Sequence, residues 1–240
     1  MDTHLLGIIA QFHVHQYARK YIFINMRRER QSIHRVENIA WDWSELPFRV
    51  IRMRQLLRSA RSNPHAVIFA DVYKKIAVKT YLTDRAQTGE HQTNREKRWE
   101  SDPSSFQYAL RRQCWSVEDA LINQICHFAD FPVDLHALLS KSNVLHAIPT
   151  PYRCPITLDP LSFDDFRDEV LHPRHGRARF QAGHLNPLRG IGGAAIEGHT
   201  AANIGWITAD GNRIQGHLSL DETRALLRRI TDNYRDTGLD

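Results

Sequence analysis

The stretch 177-RARFQAGHLNPLRG-190 decides how the C-terminal part of this sequence is interpreted. Its segment ARFQAGHL predicts a short strand that ends at His184, and the Asn186-Pro187 pair predicts a turn directly after it. A histidine at the end of a strand is, by itself, more often a surface or capping residue than a reactive group. The function of His184 therefore depends on the residues downstream of it.

Two asparagines lie downstream of His184. Asn203 opens a second predicted strand, NIGWIT, 19 residues after His184, and Asn212 lies nine residues further on in ADGNRIQ, which predicts a turn and a brief helix. Ser219 and Glu222 then form the capping box of a final helix, LDETRALLRRITDNY. The predicted order is strand, loop, strand, short helix and longer helix.

This order, together with His184-Leu185-Asn186-Pro187, Asn203-Ile204 and Asn212, resembles the HNH, or ββα-metal, nuclease superfamily in its H-N-N form. The resemblance covers roughly residues 153–218. The flanking CPIT and DGNRIQGHLSLDE segments are similar to those of a subset of HNH restriction endonucleases.

The resemblance implies a role for each matched residue. His184 would take a proton from the attacking water, because a neutral imidazole titrates near pH ~6.5. A backbone carbonyl would hold its other ring nitrogen in one tautomer. Asn203 would fix the loop that carries His184, Asn212 would offer its amide oxygen to a divalent cation, and Arg213 would meet a phosphate. The expected cation is Mg²⁺, with Mn²⁺ or another transition metal as alternatives.

The sequence departs from the superfamily at the position before the histidine. An acidic metal ligand is usual there, and this chain has Gly183, which could instead let the substrate backbone or a metal-bound water approach closely. A single amide holds Mg²⁺ poorly, so another ligand is expected. The candidates are Asp210, Glu197 and His217, and a softer metal is more plausible if His217 participates.

Charge distinguishes the two halves of the chain. Residues 1–150 hold 21 Lys and Arg against 15 Asp and Glu, a net charge of +6, and residues 151–240 hold 11 against 12, a net charge of −1. A basic half predicts a polyanionic partner, although a solvated basic face is an equal alternative. We expect double-stranded DNA, with phosphate contacts from Arg27, Arg28, Arg30, Arg52, Arg54 and Arg58.

The N-terminal half is predicted to be mainly helical. Residues 49–61 form an amphipathic basic pattern, 65–82 could be a strand or a buried helix, and 83–105 are polar enough for a loop. Ser116 and Asp119 predict the start of a further helix, and a short one is expected near 134–141. The prolines of IPTPYRCP (148–155) suggest a boundary, which gives a recognition region at 1–150 and a nuclease domain at 151–240.

Composition limits the remaining alternatives. Three cysteines with no CxxC pair argue against a disulfide framework or a four-cysteine zinc site and fit a reducing cytoplasm. No signal peptide is expected, because no basic residue precedes the short apolar run near the N-terminus, and no membrane span is expected.

The overall expectation is an α+β protein that acts as a metal-dependent DNA endonuclease, most simply a sequence-specific type II restriction enzyme. Cutting both strands of a duplex favours a homodimer with two active sites. The alternatives are a DNA-binding protein with a degenerate, inactive HNH fold, and a modification-dependent, homing or nicking nuclease.

Overall fold

The computed structural model of the chain describes residues 45–83, 96–173, 178–188 and 198–238. These residues form seven α-helices, two short 3₁₀ helices and one two-stranded sheet. The helices precede a small strand–helix module, so the predicted α+β class and its helical N-terminal part are confirmed. The arginines at 27, 28 and 30 lie outside the described residues, as does Glu197.

The first two described helices are α1 (Glu45–Ser59) and α2 (Pro64–Lys79). The start of α2 has a local cause, since Pro64 fits the first helical turn and the Asn63 side chain accepts a hydrogen bond from Ala66 N at 3.1 Å. The segment that the sequence left open between strand and helix is therefore helical. Its buried residues recur at helical spacing: Ala66, Phe69, Val72, Tyr73 and Ile76.

After α2 the chain forms one bridge of an antiparallel pair. Leu82 pairs with Lys97, and Arg98 N donates to Tyr81 O at 2.9 Å. A 3₁₀ helix, Arg98–Glu100, comes next and buries Arg98. Within the predicted polar loop at 83–105, the described residues 96–105 thus include a bridge and a 3₁₀ helix.

Helix α3 spans Arg111–Ile125, and α4 spans Val133–Lys141 as predicted. The helix start predicted at Ser116 and Asp119 is wrong, because α3 begins five residues earlier. Gln113 caps it by accepting a hydrogen bond from Leu110 N at 2.7 Å, and the Asp119 side chain is buried. Ser162 caps α5 (Phe163–Leu171) through a 3.3 Å bond from Asp165 N.

The strand–helix module has the predicted order. Strand β1 (Phe180–His184) pairs antiparallel with β2 (Ile204–Thr208), so that Gly183 faces Gly205 and His184 faces Ile204. Helix α6 (Ala209–Gln215) begins directly after β2, and α7 (Leu220–Thr237) begins with the predicted Ser219–Glu222 capping box.

Helix α3 anchors β2 along the edge that does not face β1. The side-chain amide of Gln124 accepts from Trp206 N at 3.0 Å and donates to Ile204 O at 3.2 Å, as a neighbouring strand would. The Trp206 indole donates to Leu121 O at 3.0 Å. The position of β2, and through it that of β1, is therefore set by α3.

One hydrophobic core connects the helices to the module. It runs from Met53 on α1 through Phe69 and Leu121 to Ile207 on β2, and so continues across residue 150. The boundary at 150/151 stays a prediction about where binding and cutting reside. The three cysteines, all within the described residues, are buried free thiols. No described helix is long and apolar enough to cross a membrane.

Candidate functional site

His184 closes β1 and is held by its backbone as well as by its ring. The buried Gln215 side chain donates to the carbonyl oxygens of His184 at 3.1 Å and Leu185 at 2.8 Å. Gln215 is the last residue of α6, so this amide ties the end of the strand to the end of the helix. Sequence reasoning missed Gln215, because a lone glutamine in a short helical pattern carries no signal of its own.

A second histidine holds the ring of His184. His184 Nε2 lies 3.0 Å from Nδ1 of His199, and Nε2 of His199 lies 2.8 Å from the carbonyl oxygen of Thr80 at the end of α2. The two rings meet edge to face with centroids 5.3 Å apart. At His184 Nε2 the partner is therefore the ring of His199, and the Thr80 carbonyl holds His199 in turn.

His199 is buried, with 3% of its surface exposed. Burial, the nearby charge of Arg98 and the ring of His184 together lower its pKa to about 3, against a smaller opposite effect of the hydrogen bond to the Thr80 carbonyl. His199 is therefore neutral at physiological pH. In the sequence, His199 is marked only by its position four residues before Asn203. That position alone does not distinguish it from the other histidines of the chain.

Asn203 is fully buried and bonded on both ends of its amide. Its Oδ1 accepts from Asn186 N at 2.7 Å, and its Nδ2 donates to the carbonyl oxygens of Asn186 and Gly198, both at 3.0 Å. These contacts join the turn after His184 to the segment that carries His199. An amide suits this place because it donates and accepts without burying a charge.

Gly183 has a packing reason to be glycine. A Cβ at this position would overlap Cδ1 of Ile207 and lie 3.2 Å from its Cγ1. The Ile207 side chain is fully buried and has little room to move. A side chain at position 183 would therefore clash with the hydrophobic core. This clash explains the glycine without the expected close approach of substrate over Gly183.

The candidate cation ligands on α6 are Asp210, its second residue, and Asn212, its fourth. Asn212 is half-buried, and Asp210 is exposed and forms an ion pair with Arg213, itself exposed. The charges of Asp210 and Arg213 thus compensate each other. A carboxylate and an amide are oxygen donors, which suit a hard cation such as Mg²⁺.

Among the residues that the structure describes, no three His, Cys, Asp or Glu side chains are grouped as metal ligands. This donor set fits a cation that keeps most of its waters and binds substrate phosphate, as Mg²⁺ commonly does. His217 is exposed just past α6. The Ser219 hydrogen bonds lower the pKa of Glu222, and a smaller electrostatic effect of His217 acts in the same direction. His217 therefore lies toward the start of α7. That position gives no support to a transition metal held by His217.

The three described arginines predicted to contact DNA differ in environment, although all are on α1. Arg52 and Arg58 are exposed. Arg54 instead forms an ion pair at 2.5 Å with Glu118 of α3, whose side chain is only 3% exposed. The charge of Arg54 is therefore compensated within the protein, and Arg52 and Arg58 are better placed to meet a phosphate.

The chain matches no protein-family model and no curated protein. Among solved structures, one match is described as the crystal structure of a type II restriction endonuclease. The two chains are 20% identical, and the TM-score is 0.39. The match covers 54% of this chain and 55% of the other, so this chain spans about half the length of that structure.

Proposed function

We propose that this protein is a metal-dependent DNA endonuclease of the HNH type, and that it acts as a sequence-specific type II restriction enzyme. The observation that carries the proposal is the arrangement around His184. A strand-end imidazole is held by a neutral buried ring, and the turn after it is clamped by the amide of Asn203. Rigid positioning of this kind is required of a general base.

In the proposed reaction, His184 accepts a proton from water as the water oxygen bonds to phosphorus. The bond from phosphorus to the 3′ oxygen of the DNA then breaks, and the leaving oxygen gains a proton from solvent. Asn203 keeps the His184 loop in place through its contacts with Asn186 and Gly198, and it does not touch the substrate. Its role is positioning.

Asn212 and Asp210 would hold the divalent cation, and Arg213 would exchange its contact with Asp210 for a phosphate oxygen. When bound, the cation supplies positive charge that stabilises the developing charge on the phosphate and the 3′ oxygen. The Asp210–Arg213 pair is exposed, so opening it requires little free energy.

We assign DNA binding mainly to residues 1–150, with Arg52 and Arg58 among the phosphate contacts. A homodimer would place one active site on each strand of the duplex, and the cytoplasm is the proposed location. The support for DNA as substrate is the net charge of +6 in this half, given by 21 basic against 15 acidic residues.

The test is DNA cleavage by the full chain and by Asn212→Ala, with Mg²⁺ or Mn²⁺ and then with excess EDTA. We expect cleavage that EDTA abolishes. We also expect Asn212→Ala to lose most of its cleavage while keeping its DNA affinity, because it loses a contact made to the cation and not to the DNA. Asn233→Ala, an exposed asparagine on α7, is the matched control and should cut like the wild type.

A second candidate is a DNA-binding protein with an inactive HNH fold. The observation that favours it is Gly183, where an acidic ligand is absent and a side chain would meet the core. Salt-sensitive DNA binding without cleavage of varied DNA in either metal would support this candidate. Cleavage of only methylated DNA, or of one strand only, would instead indicate a modification-dependent or nicking enzyme.

A further inference from the structure

Three groups from separate parts of the chain form a continuous hydrogen-bonded line. The Thr80 carbonyl oxygen lies 2.8 Å from Nε2 of His199, and His199 Nδ1 lies 3.0 Å from Nε2 of His184. Thr80 is at the end of α2 and is 119 residues from His199 in sequence. The line therefore links the helical part of the protein to the strand-end histidine.

When both rings are neutral, only one choice of tautomers for His199 and His184 satisfies both hydrogen bonds. A carbonyl oxygen only accepts, so the proton of His199 must be on Nε2. A neutral imidazole has one N–H, which leaves His199 Nδ1 as an acceptor. His184 Nε2 must then donate to it, so the lone pair of neutral His184 is on Nδ1.

We propose that His199 is a positioning residue that fixes the proton of His184 on Nε2 and so presents His184 Nδ1 as the base. The use of Nδ1 on a water molecule rests on the proposed nuclease function, but the tautomer itself does not. His199 is named by neither the HNH pattern nor its spacing.

The environment of His199 keeps it in the acceptor state. Its side chain is buried, and Arg98, also buried, places a positive charge nearby, so a second proton on His199 is unfavourable. The bond also survives the proposed reaction. Protonated His184 carries N–H on both nitrogens, so Nε2 still donates to His199 after Nδ1 has accepted a proton. No rearrangement of the line is needed.

The alternative arrangement is physically poor. A proton on Nδ1 of His199 would leave a lone pair on its Nε2 facing the Thr80 oxygen at 2.8 Å. Two acceptors at that distance repel each other, and both would be buried without a hydrogen bond between them. The Thr80 carbonyl at one end of the line thus determines which ring nitrogen of His184 is protonated at the other end.

The test is nitrogen NMR of the full chain with ¹⁵N-labelled histidine, at a pH where His184 is neutral. Two-bond couplings from ring protons identify which nitrogen is protonated, and His184→Asn and His199→Asn spectra assign the signals. In the wild type we expect both His184 and His199 to be protonated on Nε2. In His199→Phe, which keeps a ring and removes the acceptor, we expect His184 to become a mixture of both tautomers.

His127→Phe is the matched control, because His127 is also buried and also bonded to a backbone carbonyl, that of Asn123 at 2.8 Å. It should leave the His184 tautomer unchanged. If His199→Phe does not fold, His199→Asn replaces it, since the amide oxygen can still accept from His184 and should retain part of the Nε2-protonated form. Where DNA is cleaved, His199→Phe should lower the rate by about 10–100-fold, and His199→Asn by less.

A wild-type His184 protonated on Nδ1 overturns the proposal. An unchanged tautomer in folded His199→Phe also overturns it. Failure of the protein to cut any DNA, combined with Nε2-protonated His184 in the wild type and a mixture of tautomers in His199→Phe, removes the nuclease function but supports His199 as the residue that sets the tautomer. The two hypotheses therefore fail on different measurements.

Discussion

The interface between α1 and α3 and the strand–helix module around His184 both bury polar side chains, but of different kinds. Between the helices, Arg54 of α1 forms an ion pair with Glu118 of α3. Arg49 of α1 reaches Asp119 of α3 through the ring of His146, which lies 2.6 Å from Arg49 Nη1 and 2.7 Å from Asp119 Oδ2. Around His184, the buried polar groups are neutral and bond mostly to backbone: His199, Asn203 and Gln215.

The difference arises because the two regions hold different groups in place. Helices have satisfied backbones, so side chains must bond side chains across the gap. The module consists of loops and short strands with many unpaired carbonyls, and neutral amides and imidazoles satisfy these without the free-energy cost of burying a charge. We therefore expect substitutions between the helices to change stability, and substitution of His184 to change the reaction.

The largest expected effect is the loss of cleavage in His184→Ala. Removing a general base should lower the cleavage rate by roughly 10²–10⁴-fold. The protein should still fold, since the strand end is held through the backbone carbonyl bonded by Gln215, and DNA affinity should change little. The measurement is the single-turnover cleavage rate alongside thermal unfolding and DNA binding.

His172→Ala is the control for this substitution, because His172 is exposed and lies past the end of α5. It should cut at the wild-type rate. A folded His184→Ala protein that also cuts at that rate would show that the histidine is only part of a turn, and the nuclease hypothesis would fail.

The second expected effect is the destabilisation caused by removing Arg54. Arg54→Met takes the positive charge away from the buried carboxylate of Glu118, although the Tyr73 hydroxyl still donates to it. Breaking such a pair should lower the free energy of unfolding by about 3 kcal/mol, the low end for buried pairs, because Arg54 itself is a third exposed. Urea unfolding measures it.

Glu118→Gln sharpens this comparison, because the amide keeps hydrogen bonds while removing the buried charge. The double variant Arg54→Met/Glu118→Gln should recover part of the stability lost in Arg54→Met. Equal stability of wild type and Arg54→Met would mean that the ion pair does not hold the two helices together.

The third expected effect is acid destabilisation that depends on His199. The pKa of His199 is about 3 in the folded protein and near 6.5 when unfolded, so the unfolded state binds more protons between these values. Stability conferred by the neutral ring is complete above pH ~6.5 and is lost as the pH falls toward 3. The folding equilibrium constant should fall by up to about tenfold per pH unit through this group.

The measurement is unfolding free energy against pH for the wild type and His199→Asn. The groups that act on His199 are Arg98, His184 and the backbone of Thr80, and all three are unchanged in the variant. His199→Asn should show a shallower loss below pH ~6.5, and exposed His172→Asn should behave like the wild type. Parallel curves for wild type and His199→Asn would contradict a buried neutral histidine.

The sequence predicted the module better than the contacts that orient it. Both strands, the short helix and the capped α7 were predicted, because their turn and capping residues are local signals. The helical spacing of Phe69, Val72, Tyr73 and Ile76 was also present, but β-branched and aromatic content made the segment ambiguous. The start of α3 was misplaced because a matching Ser–Asp spacing occurs by chance inside the helix.

The contacts of the site were beyond sequence reasoning because their partners are far apart in the chain. His199 depends on a carbonyl 119 residues away, and Gln215 on carbonyls 30 and 31 residues away. Backbone carbonyls carry no residue identity, so no motif can record them. The ion pair of Arg54 could not be predicted for the same reason, because its partner Glu118 lies 64 residues further along the chain.

The smallest expected effect concerns the exposed face of α1, and it separates two arginines that look alike in the sequence. Arg52 is exposed, whereas Arg54, two residues later, is paired with Glu118. If Arg52 contacts a phosphate, Arg52→Ala should weaken binding to all DNA sequences alike and reduce the slope of log affinity against log salt by about 0.9, with no change in unfolding free energy. Arg54→Met should do the opposite. It should lower the free energy of unfolding, and the protein that remains folded should show the wild-type slope of log affinity against log salt. Binding isotherms at several salt concentrations, measured beside urea unfolding, give both quantities. An Arg52→Ala slope equal to the wild-type slope would remove this part of α1 from the proposed DNA-binding surface.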